Sequence, residues 1–200
     1  MADWSSALDH LRSIDGFAPL IEAHGAPTIE PTTDPIQSLA RAIVGQQLST
    51  AAARTIWSRV LALYPRKRFP SAARILATSD EALRAAGLSG AKTASIKDLA
   101  RHVVERRLVP ERLPLATDEE IAALLLPVRG IGPWSIDMFL MFALARPDVL
   151  PVGDLGIRKG MQRHFKLRTL PEADRMRKLA APWRPYRTIA SWYLWRLLES

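Results

Sequence analysis

Five consecutive residues, Gly130-Ile131-Gly132-Pro133-Trp134, have the types and the order of an anion-binding turn. The apolar run before them reads as a helix end. Proline at the first position of the helix that follows gives up only an N–H that has no intrahelical partner there. Glycines permit positive φ and close backbone approach. The amides of such a hairpin face outwards with the positive end of the helix dipole, and an anion can sit on them. A glycine turn that merely joins two packed helices would look the same, and Gly-Ile-Gly alone does not separate the two readings. Two of the carboxylates that follow stand at helix starts. Asp137 falls in the first turn of an otherwise apolar helix, where the dipole favours an acid but an unpaired charge would be costly. Asp154 stands just before a further helix, and on position alone it fits an N-cap.

The composition says which anion the hairpin would meet. The 200 residues carry 28 Lys+Arg against 20 Asp+Glu, a formal charge of +8, and the pI is near 10.4. Such a balance suits a polyanion, and a nucleic-acid phosphate held through backbone amides is bound without regard to base sequence. A basic, solvated surface with no partner is the alternative. With no cysteine there is no disulfide, no thiolate zinc site and no iron-sulfur cluster. No His or carboxylate cluster suggests a catalytic metal. The opening MADWSSALDHLRS lacks the apolar core of a signal peptide. The longest apolar runs are about eight residues, against the ~20 that span a bilayer. A cytoplasmic protein without a membrane partner is expected.

Almost every segment carries helix signals and none shows sustained period-two alternation, so the chain is expected to be all-α. One amino-terminal helix, with Trp4, Leu8, Leu11 and Ile14 at helical spacing, should end near Asp15-Gly16. Asp34-Pro35 starts a helix to about Gln47, and another runs from about Ser49 to Leu63. Short helices near 71–77 and 80–86, a longer one over 90–107 and a Thr117-x-x-Glu120 capping box lead into the hairpin. Helices over about 155–165, 171–181 and 186–198 complete the reading.

The hairpin GIGPW followed by RPDVLPVGDLGIRKG, with AIVGQQLS at 42–49, GLSGAKTASIKDLA at 87–100 and WRPYRTIASWYLW at 183–195, resembles the helix-hairpin-helix DNA glycosylase superfamily. Within it the similarity is to the 3-methyladenine DNA glycosylase II (AlkA-like) branch, over roughly residues 35–198. That resemblance implies a two-lobed helical fold with the active-site cleft between the lobes. Residues 34–145, with the hairpin motif at about 118–145, would form a central bundle, and 1–33 with 146–200 the second lobe. It also implies a compact form without the extra amino-terminal β domain.

The activity so implied is a monofunctional DNA glycosylase of base excision repair. It would hydrolyse the N-glycosidic bond of alkylated purines such as 3-methyladenine and 7-methylguanine after flipping the base. Asp154 becomes the carboxylate that stabilises positive charge on the sugar or activates water, a role that does not exclude the cap. Relatives that also cut the strand have a lysine where this chain has Trp134, and tryptophan cannot form a Schiff base. Trp134 and Trp195 would wall the base pocket, Met138 stands where a relative has tyrosine, and Asp137 would polarise the pocket or serve structure. Gln47 occupies the place of a leucine wedge, with Leu48 beside it, although an ordinary helix break there is the alternative. Gly130, Ile131, Gly132 and Trp134 would meet the DNA backbone. Carbonyls of Leu126, Val128 and Gly130 would hold a monovalent cation, and no cofactor is required. The expected partner is double-stranded DNA with alkylated bases, bound by a monomer. A non-catalytic helix-hairpin-helix DNA-binding module would need the hairpin but not Asp154 with Trp134 and Trp195.

Overall fold

A computed structural model describes residues 3–199. Residues 1, 2 and 200, which the expected second lobe includes, lie outside the described residues. The chain opens with α1 (Ser5–Arg12) and α2 (Ala18–His24). It continues through α3 (Pro35–Gly45), α4 (Thr50–Ala62), α5 (Ala72–Ala77), α6 (Asp80–Ala85), α7 (Gly90–Val104), α8 (Asp118–Leu125) and α9 (Pro133–Phe142). It ends with α10 (Leu155–His164), α11 (Ala173–Leu179) and α12 (Arg187–Glu199). Short 3-10 turns lie at 65–67, 110–115 and 181–183, and no strand occurs among the described residues. The one amino-terminal helix expected from the apolar spacing is two. Gly16, at φ +82°, breaks the run, and Pro19 fits the first turn of α2, where no amide partner is lost.

The chain divides into two compact units, Thr33–Ile136 and Met1–Thr32 with Asp137–Ser200. The later edge of the contiguous unit therefore lies inside α9, not at residue 145 as the resemblance implied. The helix backbone runs on through that edge. Its opening turn belongs with the hairpin and its remainder with the unit that holds both chain ends.

In the contiguous unit α7 is the element to which others are fitted. It packs against α3, α5 and α6 through Ile96, Leu99 and Ala100, and Ser89 caps it by accepting the Lys92 N–H at 3.2 Å. Burying each large aliphatic contributes roughly 1.5–3 kcal/mol. The capping box of α8 is complete: the Thr117 hydroxyl accepts the Glu120 N–H at 3.2 Å, and the Glu120 carboxylate accepts the Thr117 N–H at 2.8 Å.

The other unit is built on aromatic rings from distant parts of the chain. Phe17 meets Trp183 edge-on at 5.5 Å and Tyr193 at 6.5 Å. The Tyr193 hydroxyl donates to the Gly25 carbonyl at 2.6 Å, so the polar end of a buried ring is satisfied. Helix α12 packs on α10 and α2, and Ile157, Met161, Ile189 and Leu194 fill the space among these rings.

Candidate active site

Asp154 begins α10 as its N-cap, its Oδ1 accepting the Ile157 N–H at 2.8 Å. The same oxygen accepts the indole N–H of Trp195 at 3.0 Å. One donor comes from the acid's own helix and one from α12, so both the direction and the rotamer of the carboxylate are set. Gly156 makes room for this pairing: a Cβ there would lie 2.8 Å from Trp195 Nε1 and 3.0 Å from Asp154 Oδ1. The half-buried Trp195, expected as a pocket wall, stacks at 5.7 Å on Phe142, which is itself 42% exposed. Phe142 was invisible as a site residue because it lies in a continuous apolar run.

The segment leading to Asp154 is fixed by the start of α12. Arg187 holds both Asp148 oxygens, at 2.6 and 3.0 Å, and donates to the Asp148 carbonyl at 2.9 Å. Thr188 donates to the Arg146 carbonyl at 2.6 Å and accepts the Val149 N–H at 3.0 Å. A forked guanidinium on a carboxylate fixes geometry as well as charge, and the turn closes with the Asp154 N–H on the Pro151 carbonyl at 2.9 Å. Neither Asp148 nor Arg187 stood out in the sequence, because an ion pair between residues this far apart has no local signature.

Asp137 and Met138 lie in the same unit as Asp154, both half-buried. Burial, and secondarily the Asp154 charge, pushes the Asp137 carboxyl up to about 6. The two acids thus share one electrostatic environment but differ in what surrounds them, which is how paired carboxylates take different roles. Trp134 belongs to the other unit and is 44% exposed, a large ring on the surface.

In the hairpin the two glycines are not equivalent. Gly130 has φ +80°, and a Cβ there would lie 2.5 Å from Ser95 Oγ. Gly132 lacks a positive φ and has nothing within 4 Å of the place of a Cβ. It accepts the Ile136 N–H at 3.1 Å, and having no side chain it cannot cap the α9 amides itself. The Arg129 N–H is held by Asp98 Oδ2 of α7 at 2.9 Å. Of the carbonyls expected to hold a cation, Val128 accepts the Ile131 N–H at 3.1 Å and Gly130 accepts Gln46 Nε2 at 2.8 Å. Each of these two carbonyl oxygens keeps a second lone pair beside the hydrogen bond it accepts.

Gln47 and Leu48 follow the end of α3, and both side chains are exposed. Gln47 has φ +57°, a conformation that costs a non-glycine residue and is held by its surroundings. Lys92 Nζ supplies them, donating to the carbonyls of Val44 and Gln46, each at 2.7 Å, while burial lowers the Lys92 pKa. Lys92, Ser95 and Asp98 were missed as site residues. Their spacing of three along a polar stripe of α7 was the available signal.

The elements and turns so placed define an all-α helix-hairpin-helix glycosylase fold. Residues 40–185 match the family model described as HhH-GPD superfamily base excision DNA repair protein. The chain is 30% identical over 201 residues to the alkylbase DNA glycosidase-like protein mag2 of Schizosaccharomyces pombe, covering 98% of this chain and 94% of that protein. The solved structure of the Schizosaccharomyces pombe 3-methyladenine DNA glycosylase Mag1 in complex with abasic DNA matches with a TM-score of 0.88 at 31% identity, covering 98% of each chain. A DNA-3-methyladenine glycosidase from Bacillus halodurans matches with a TM-score of 0.83 at 34% identity, covering 96% of this chain and 88% of that one. The chain belongs to the HhH-GPD superfamily of base excision DNA repair proteins.

Proposed function

We propose that the protein is a DNA glycosylase that hydrolyses the bond between deoxyribose and an alkylated purine, 3-methyladenine or 7-methylguanine, and leaves the strand intact. The observation that carries this reading is the carboxylate of Asp154, held by the Ile157 N–H and the Trp195 indole N–H on a single oxygen. As the base departs with the bonding electron pair, positive charge grows on the sugar, and a fixed carboxylate stabilises it without having to reorganise. Water then adds at the sugar carbon, its proton leaves, and the products are free base and an abasic strand. Trp134 offers no amine for a Schiff base, which makes the reaction a hydrolysis alone. The Phe142–Trp195 stack, whose indole N–H holds Asp154, suits a base made cationic by alkylation. The hairpin amides around Gly130, Ile131, Gly132 and Trp134 bind a DNA phosphate, and Gln47 with Leu48 fills the place of the extruded nucleotide.

The test is incubation of the purified protein with randomly methylated duplex DNA, followed by chromatography of released bases and borohydride treatment. Free methylated purines with no trapped protein–DNA adduct are expected. No released base would overturn the glycosylase reading, and a trapped adduct would overturn the hydrolysis-only reading.

A further inference from the structure

Helix α7 presents Lys92, Ser95 and Asp98 at intervals of three residues, and each reaches one of the two turns assigned to DNA above. Lys92 closes the end of α3 through the Val44 and Gln46 carbonyls, both at 2.7 Å. The last turn of α3 has no basic residue of its own, so this ammonium meets both the orphan carbonyls and the negative end of the helix. The Gln46 carbonyl belongs to the peptide that leads directly into Gln47, the residue at φ +57°. From the same residue the Gln46 side chain crosses to the hairpin, donating to the Gly130 carbonyl at 2.8 Å with Ser135 Oγ at 3.4 Å. At the hairpin, α7 meets Gly130 through Ser95 and holds the Arg129 N–H through Asp98 at 2.9 Å. A helix end in need of a cap would explain the Lys92 bonds alone. It would not explain why the capped peptide carries a side chain that bridges to the second turn.

We propose that Lys92 and Gln46 are positioning residues that lock the Gln47 turn to the hairpin. Gripping a phosphate and inserting into the duplex then occur as one rigid event. The proposal rests on the wedge and phosphate roles given to these two turns. It predicts that weakening the lock uncouples unstacking from binding, whereas a mere helix cap would alter only stability.

The experiment uses a duplex with 2-aminopurine, a base whose fluorescence rises on unstacking, placed beside an abasic-site analogue. Affinity is read by anisotropy and unstacking by fluorescence at saturation, for the parent protein, Lys92→Met, Lys92→Arg and Gln46→Leu. With the loss of a charge-assisted pair of hydrogen bonds, the unstacking equilibrium of Lys92→Met should fall by about tenfold or more. Its affinity for undamaged duplex should stay within about threefold, because the hairpin amides that meet phosphate are unchanged. Lys92→Arg, which can still donate to two carbonyls, should recover most of the signal, and Gln46→Leu should show a smaller loss of the same kind. Unstacking at the parental level in Lys92→Met, or affinity and unstacking falling together in both Lys92→Met and Gln46→Leu, would overturn the proposal. If Lys92→Met does not fold, Gln46→Leu decides by the same two results. A parent protein that unstacks the probe but releases no methylated base would defeat the glycosylase reading and leave the lock standing. One that binds without unstacking would defeat the lock even if it released bases.

Discussion

Helices α9 and α10 both begin at glycine-rich turns, and they use their amino-terminal amides in opposite ways. At α10 the chain supplies its own anion: Asp154 accepts the Ile157 N–H at 2.8 Å and is steadied further by Trp195. At α9 the N-cap position is Gly132, which has no side chain to offer and open space on the side where a Cβ would stand. The same backbone physics therefore orients an internal carboxylate at one turn and leaves the other suited to an external phosphate. One residue at the cap decides whether a helix start holds a carboxylate of its own.

The comparison is broken most directly at Asp154. Asn caps nearly as well as Asp and can accept both N–H groups, so Asp154→Asn should melt within about 1 kcal/mol of the parent protein. It should lose excision by about a hundredfold or more, in single-turnover measurements, because the charge facing the sugar has gone. An unchanged rate in a normally folded variant would remove Asp154 from the chemistry.

At the other turn the two glycines should separate stability from binding. Gly130→Ala places a side chain at φ +80° and against Ser95, so it should cost about 1–3 kcal/mol in denaturant unfolding and weaken duplex binding as well. Gly132→Ala meets no protein atom, so it should unfold normally and still bind damaged and undamaged duplex several-fold more weakly, because the phosphate is kept away. Equal, parental affinity for Gly132→Ala would mean that no phosphate approaches this turn.

The smallest effect is expected at Asp137, whose carboxyl burial pushes up from its ordinary value of 3.8 to about 6. A raised pKa means that the fold disfavours the ionised form. Asp137 therefore destabilises the protein progressively as pH rises from about 4 to about 6. Asp137→Asn should flatten that part of the melting-versus-pH curve and raise the melting temperature modestly at pH 7. A curve unchanged by the substitution would mean that Asp137 is not under this strain.

Much of this was legible in the chain. Some helix starts followed from caps, as at Asp34 and Thr117, because capping is a short-range signal carried by one side chain. The hairpin followed from Gly130 to Pro133 for the same reason. What stayed hidden depends on residues that only the fold brings together. The Trp195 hydrogen bond to Asp154, the Asp148–Arg187 fork and the Lys92 clamp join positions 41, 39 and up to 48 residues apart. Spacing along one helix cannot report such pairs. The inequivalence of Gly130 and Gly132 was hidden too, because a glycine in sequence shows that positive φ is allowed and not that it is used.

The unit that carries Asp154 is stitched from chain segments separated by as many as 172 residues, as in the His10 contact with the Pro182 carbonyl. Contacts of such separation close large loops and form late. During synthesis Leu11 and Phe17 leave the ribosome well before Trp183 and Tyr193, against which Phe17 packs. The contiguous unit needs no such delay. A nascent chain thus completes the surroundings of its hairpin before those of its acid, and the apolar faces of its amino-terminal helices gain their partners only when the last helix has emerged.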